Sequence, residues 1–262
     1  ALAFSTESLF LFGAPGADRP VSAQLRANPT RQPFDAFDGF EFGGLDDNHQ
    51  QQALLGSQTL QTSKAGLADF EFSADAFESI ANSELPQRVT VAVELEEVSG
   101  RVTRQNESVL VATQPGWIGV KPANAQSGYG NGSSPEFLLT SVNARSGRAQ
   151  SETVRWRLIQ EEWDYYWTRS GEGWDYRIEY YEQGVRASGT VEVNAASNLG
   201  QTTLTLPALS NGRYKLELLP ETGQPTQTRL QVGWWSTSGA SAAVPDVLDV
   251  GCLTCNPMPA IR

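Results

Sequence analysis

The sequence predicts an all-β protein built from two tandem antiparallel β-sandwiches. Apolar residues recur at a period of two, while the 3.6-residue period of an amphipathic helix is almost absent. Turn dipeptides separate the alternating runs: Ser99-Gly100, Ser146-Gly147, Gln183-Gly184, Asn211-Gly212 and Thr222-Gly223. The 262 residues suit two sandwiches better than one.

Residues 1–113 read as the first sandwich. A long excursion, from about Asn28 to Gln52, interrupts it and carries Phe34, Phe37, Phe40 and Phe42 among Asp and Gly. A loop of that length is uncommon in a compact domain unless it packs on something. The four phenylalanines are suited to pin it to its own sandwich or to a neighbour. Val89-Thr90-Val91-Ala92-Val93-Glu94-Leu95 puts Val89, Val91, Val93 and Leu95 on one face, and a hairpin from Val89 to Val111 turns at Ser99-Gly100.

Gln114-Pro115-Gly116 reads as the join, with Trp117 and Ile118 opening a second sandwich over 114–235. The glycines of Gly128-Tyr129-Gly130-Asn131-Gly132 lack a following Lys-Ser or Lys-Thr and a following helix, so they read as a flexible loop rather than a phosphate cradle. Val154-Arg155-Trp156-Arg157-Leu158 alternates with its arginines outward. The densest aromatic stretch follows, with Trp163, Tyr165, Tyr166 and Trp167 on one strand rising to Thr168 and Trp174, Tyr176, Tyr180 and Tyr181 on the next. Arg169-Ser170-Gly171-Glu172-Gly173 is the hairpin turn between them. Val191-Glu192-Val193, Leu204-Thr205-Leu206, Tyr214-Lys215-Leu216-Glu217-Leu218 and Leu230-Gln231-Val232 complete the strands. Leu206 followed by Gly212-x-Tyr214-x-Leu216-x-Leu218 matches the closing strands of immunoglobulin-like sandwiches, where Tyr214 is expected to return its hydroxyl to a nearby backbone group. Residues 236–262 read as a tail or the start of a further domain.

Composition narrows the function. A hydrophobic content of 39% is too high for a disordered chain. A formal charge of −11 repels phosphate backbones, so no nucleic acid is expected as a partner. No apolar run approaches the length of a spanning helix, and no membrane contact by this chain is expected. His49, the one histidine, lies in a polar stretch and is expected to be a solvated loop residue. Cys252-Leu253-Thr254-Cys255 precedes Asn256-Pro257-Met258-Pro259, which breaks the helix a redox pair would need, and too few other ligands remain for zinc. No catalytic residue, metal or cofactor is expected. Glu94, Glu96, Glu97, Glu161, Glu162 and Asp164 could pair for glycosidic chemistry, but charges alternating with apolar residues read as a solvated face. The first residue is Ala rather than Met, which is expected of a processed chain or a piece of a longer one.

The aromatic residues are therefore the candidate interface or ligand site: Trp163, Tyr165, Tyr166, Trp167, Trp174, Trp234 and Trp235. Such a ladder packs across strands, meets another domain, or stacks sugar rings.

The order Val154 to Trp167, Gly173-Trp174-Asp175-Tyr176-Arg177, Ala187-Ser188-Gly189-Thr190, Gly212 to Glu217, Val232-Gly233-Trp234-Trp235 and Pro245-Asp246-Val247-Leu248-Asp249-Val250 resembles bacterial alpha-2-macroglobulins. The likeness runs from residue 1 to about 250 and is most specific over 154–250. It is similar to the two macroglobulin-like domains just upstream of the bait region, and so implies two tandem antiparallel seven-stranded β-sandwiches. The resemblance implies a structural, non-enzymatic part of a broad-spectrum protease inhibitor. In that family an attacked bait lets the protein rearrange and an internal thioester acylate the protease. The resemblance also implies neighbouring macroglobulin-like domains, target proteases as partners of a longer parent, and a periplasmic or cell-envelope location with a lipid-anchored parent. The family's Cys-Leu-Glu-Gln thioester motif is not met by Cys252-Leu253-Thr254-Cys255, and Gly251 to Arg262 departs from the family pattern. The alternative reading is a tandem-sandwich adhesin or carbohydrate-binding module that uses the aromatic hairpin.

Overall fold

A computed structural model describes residues 1–45, 52–97, 100–124, 128–170, 173–196 and 200–233. Seven strands precede the join: β1 (Leu2–Glu7), β2 (Pro20–Pro29), β3 (Glu41–Phe42), β4 (Ala53–Gln61), β5 (Leu67–Phe72), β6 (Gln87–Glu96) and β7 (Val102–Val111). Seven follow it: β8 (Gly116–Pro122), β9 (Glu136–Asn143), β10 (Glu152–Ser170), β11 (Gly173–Val193), β12 (Gln201–Thr205), β13 (Gly212–Leu219) and β14 (Thr226–Val232). All pairings between these strands are antiparallel.

The first sandwich faces a four-stranded sheet, ordered β4-β2-β6-β7, against the pair β1-β5. Alternation decides what each strand buries. β2 turns Val21, Ala23, Leu25 and Ala27 inward, and β5 turns Ala68, Phe70 and Phe72 inward to meet them. Phe4 of β1 stacks on Phe70 with ring centroids 5.3 Å apart. A short 3₁₀ segment, Ala74–Ile80, closes one end of this core with Ile80.

The second sandwich packs sheet β12-β9-β8-β3 on sheet β11-β10-β13-β14. Ile118, Val120, Phe137 and Leu139 from one sheet meet Val154, Leu158, Leu216, Leu218 and Leu230 from the other. Tyr214 Oη donates to the Ser210 carbonyl at 3.0 Å, the corner expected from the motif. The loop Gly128–Gly132 is tied at both sides, with Gly132 N donating to Leu209 O at 2.7 Å and Gly233 N to Tyr129 O at 2.8 Å. Burial raises the pKa of Tyr129 where its ring packs on this core.

Two features differ from the sequence reading. The described strands number fourteen, but six build the first sandwich and eight the second, because β3 leaves the first and joins β8. Gln183-Gly184 is not a turn. It lies inside β11, where register shifts between Leu158 and Ile159 and between Gln160 and Glu161 mark irregularities opposite it.

Candidate functional site

Two structures outside the sandwich cores stand out: a strap that joins the sandwiches, and the aromatic hairpin. The strap is the segment from Thr30 to Leu45. Its four phenylalanines leave their own sandwich and pack with Trp117, Val142 and Ala144 of the second. Phe42 and Trp117 are essentially fully buried, at 0% and 1% exposure. Burying an aromatic ring to that degree contributes about 1.5–3 kcal/mol. The rings pack edge to face, with Phe34 and Phe42 centroids 5.1 Å apart at 74°.

Hydrogen bonds then carry the strap from one sheet of the second sandwich to the other. Glu41 and Phe42 pair with Val120 and Gly119 of β8. At Gly43 the chain turns with φ of +81°, and a Cβ there would stand 2.6 Å from Glu84 O, so glycine is required on two counts. Gly43 N donates to Thr226 Oγ1 at 3.0 Å, and Thr226 Oγ1 donates to Ile118 O at 2.6 Å. Gln227 N donates to Gly43 O at 3.0 Å, and Arg31 donates to Gln227 O while pairing with Glu41 at 3.2 Å.

The hairpin is made by β10 and β11, which stay paired from Glu152↔Val193 to Ser170↔Gly173. β13 accompanies β10 only from Arg155 to Glu161. Beyond that point, among the described residues, the two strands pair only with each other, as a ribbon. The irregularities at its base add twist, and the ribbon curls over the outer face of its own sheet. Arg229 of β14, on the opposite edge of that sheet, therefore lies 3.6 Å from the centre of the Tyr180 ring. Arg213 lies 4.4 Å from the centre of the Trp163 ring. Both are cation–π contacts.

Under this cover Glu161 departs from the solvated face expected of it. Its side chain is 2% exposed and accepts from Arg229 Nε at 2.7 Å, with Lys215 Nζ at 3.6 Å. Two neighbouring cations offset the desolvation of one buried carboxylate. Lys215 also pairs with Glu182, and Arg157 pairs with Glu217. Glu217 accepts from Gln227 Nε2 at 2.8 Å, so the Arg157–Glu217 pair reaches the residue that the strap grips. Glu94 follows expectation as an exposed partner of Arg104 at 2.8 Å, and exposed Glu162 accepts from Gln183 at 3.2 Å.

On the ribbon's other face the hydroxyls of Tyr166 and Tyr181 hydrogen-bond at 2.6 Å, and Tyr181 donates to Glu179 at 3.1 Å. The bond to Tyr166, with smaller contributions from burial and Glu179, holds the Tyr181 hydroxyl well above the usual tyrosine range. A shallow hollow of about 300 Å³ lies at the ribbon's base between Gln160, Glu161, Glu162, Trp163, Gly212 and Arg213.

Of the candidate aromatics, the structure thus positions Trp163, Tyr166 and, newly, Tyr180 and Tyr181. Tyr165, Trp167 and Trp174 lie on paired backbone, but their side chains fall outside the described set, as do Trp234, Trp235, His49 and Cys252-Leu253-Thr254-Cys255 altogether. Among the described residues no His, Cys, Asp and Glu group is arranged to hold a metal. The functional residues missed by sequence reasoning are Thr226, Gln227, Arg229 and Gly43. The phenylalanine cluster signalled the strap, but nothing local marked its receiving residues.

Residues 1–112 match the family model "Bacterial Alpha-2-macroglobulin MG5 domain", and residues 119–234 match "Bacterial macroglobulin domain 6". The chain is 27% identical over 234 residues to an alpha-2-macroglobulin of Xylella fastidiosa (strain 9a5c), covering 88% of this chain and 14% of that protein. It is 26% identical over 263 residues to the alpha-2-macroglobulin of Escherichia coli (strain K12), covering 93% of this chain and 15% of that one. The chain thus spans about one seventh of the length of these relatives. Among solved structures, native E. coli alpha-2-macroglobulin superposes with a TM-score of 0.69 at 22% identity, over 88% of this chain and 15% of that chain. Salmonella alpha-2-macroglobulin reacted with methylamine does so with the same score, identity and coverage.

Proposed function

The chain belongs to the bacterial alpha-2-macroglobulin family, and from that premise we propose that it is a two-sandwich structural section of a bait-and-trap protease inhibitor rather than an enzyme. Its task is to hold the neighbouring macroglobulin-like domains in fixed relation and to pass on their displacement when a protease attacks. It contains neither the thioester nor the bait region. The parent acts in the periplasm or cell envelope, attached by a lipid anchor.

The observation that carries this reading is the strap. A lever must not bend between its parts. Here Phe34, Phe37, Phe40 and Phe42 are buried against the second sandwich, and Gly43 accepts from Gln227 N and donates to Thr226 Oγ1. An apolar cluster of this kind, with hydrogen bonds to both sheets, resists the relative motion that is otherwise the default between domains. The rival reading, a carbohydrate-binding module, has less support. One face of Trp163 is taken by Arg213 and one face of Tyr180 by Arg229.

The test is inhibition by the full-length parent. It is mixed with trypsin and residual cleavage is measured on a large protein substrate. Inhibition is expected in the parent and is expected to fall in Phe42→Ala, with circular dichroism reporting that both proteins are folded. A parent that leaves trypsin untouched overturns the inhibitor reading. A Phe42→Ala parent that inhibits fully overturns the lever. Retention of this chain on a glycan array, lost in Trp163→Ala, favours the rival.

A further inference from the structure

Strand β7 is the edge of sheet β4-β2-β6-β7, and among the described residues nothing pairs with its outer side. The turn before it decides which backbone groups point that way. Glu97 N donates to Arg101 O at 2.8 Å and Gly100 N to Glu97 O at 2.9 Å, so Glu97 and Arg101 form a hydrogen-bonded pair. From there the register runs without a shift, from Glu96↔Val102 to Gln87↔Val111. Hydrogen-bonded and open pairs alternate along an antiparallel ladder. Thr103, Gln105, Glu107 and Val109 therefore turn their N–H and C=O groups to β6. Val102, Arg104, Asn106, Ser108 and Leu110 turn theirs outward.

Proteins usually blunt such an edge with a bulge, a proline or a very short strand. β7 has ten residues, no proline and no register shift, and Val102 to Val109 are all exposed. Its charges also define a register. Arg104 and Glu107 are the only charged residues on the strand. The Arg104 side chain is 70% exposed beyond its pairing with Glu94 and retains donors for a second carboxylate.

We propose that β7 is a strand-addition site for an extended polypeptide segment that pairs antiparallel and reads basic-x-x-acidic. That order puts a carboxylate opposite Arg104 and a cation opposite Glu107. The outward backbone groups supply affinity and the two charge pairs choose the register. The site stands on the edge geometry alone and is independent of the inhibitor reading.

The experiment is amide exchange by NMR on the whole 262-residue chain. The probe is the blocked peptide Val-Thr-Arg-Gln-Asn-Glu-Ser-Val, and its control has Arg and Glu exchanged. The probe is expected to slow exchange at Arg104, Asn106 and Ser108, and the control to bind about tenfold more weakly, because it sets like charges opposite each other. Asn106→Pro removes one outward donor without touching a bond to β6, and abolishes the effect. Continued protection at Gln105 and Glu107 in that variant reports an intact sheet. The double exchange Arg104→Glu with Glu107→Arg reverses the preference between the two peptides. Unchanged exchange at saturating probe, or equal binding of both peptides, overturns the proposal. So does protection of Arg104, Asn106 and Ser108 before any probe is added, which would mean that the chain itself or a second copy already covers the edge.

Discussion

Phe42 lies directly opposite Gly119 on the β3–β8 ladder, and its ring covers the glycine so closely that a Cβ there would stand 2.7 Å from Cε1 and Cζ. Thr140 Cγ2 closes the other side at 2.8 Å. A glycine of β8 thus makes the slot for the most deeply buried ring of the strap. Gly119→Ala forces Phe42 out of its rotamer or β3 off the sheet, and is expected to cost about 1–3 kcal/mol in urea unfolding. Phe42→Ala empties the slot and is expected to cost about 3–5 kcal/mol. Because the strap couples the sandwiches, both variants should split unfolding into two transitions by far-ultraviolet circular dichroism, whereas the tryptophans, all at or after Trp117, report the second sandwich alone. A single transition at the wild-type midpoint would sink the coupling.

The corner at Tyr214 is local and separable. Its ring is buried and its hydroxyl reaches Ser210 O, the residue four positions earlier. Tyr214→Phe keeps the ring and removes one donor, leaving the carbonyl short of a partner. The expected loss is about 0.5–1.5 kcal/mol, read as a lower urea midpoint at unchanged slope. Tyr214→Ala also opens a cavity in the second core and should cost several-fold more.

What the sequence disclosed follows from how local each signal is. The alternation of Val154, Trp156 and Leu158, and the Gly212-Tyr214-Leu216-Leu218 corner, lie within single strands and were legible. β2 was not, because two of its four inward residues are Ala23 and Ala27, which lowers the contrast between its faces. β3 is two residues long, so no period exists to detect. The phenylalanines announced that the excursion packs, but Thr226 and Gln227 are meaningful only once β14 lies beside β8. Glu161 looks like any strand carboxylate until the irregular base of the hairpin turns Arg229 and Lys215 onto it. The aromatic density of the hairpin was plain, whereas the partners of Trp163 and Tyr180 depend on that curl.

The two kinds of ion pair should separate under mutation and salt. Glu161 is buried between Arg229 and Lys215, whereas Arg104 and Glu94 are exposed at 70% and 41% of their side chains. Glu161→Ala takes the shared buried carboxylate from Arg229 and Lys215, leaving Lys215 its pair with Glu182, and is expected to cost about 3–5 kcal/mol. Glu94→Ala is expected to change stability by less than about 1 kcal/mol. Raising ionic strength should erase the smaller effect and leave most of the larger one. Equal costs for the two substitutions at low salt would remove the argument that the hairpin shields Glu161.

The tyrosine pair makes a prediction that stability measurements would miss. Tyr166 and Tyr181 share a hydroxyl–hydroxyl hydrogen bond in which either oxygen can donate, and Tyr181 Oη also reaches Glu179. The Tyr181 proton is held chiefly by the bond to Tyr166, then by burial and by Glu179, and its pKa is raised in the folded chain. An unfolded tyrosine ionises near about 10. The hydrogen bond's contribution is therefore present below that pH and is lost as pH rises from there toward the folded value. Followed by the ultraviolet absorbance of tyrosinate, Tyr181 should titrate late in the wild type, in addition to the buried Tyr129. Tyr166→Phe removes the largest cause and is expected to return that titration toward the ordinary range, while Glu179→Gln moves it less. A wild-type titration with no delayed component, or one unchanged in Tyr166→Phe, would mean that the two hydroxyls do not meet in solution.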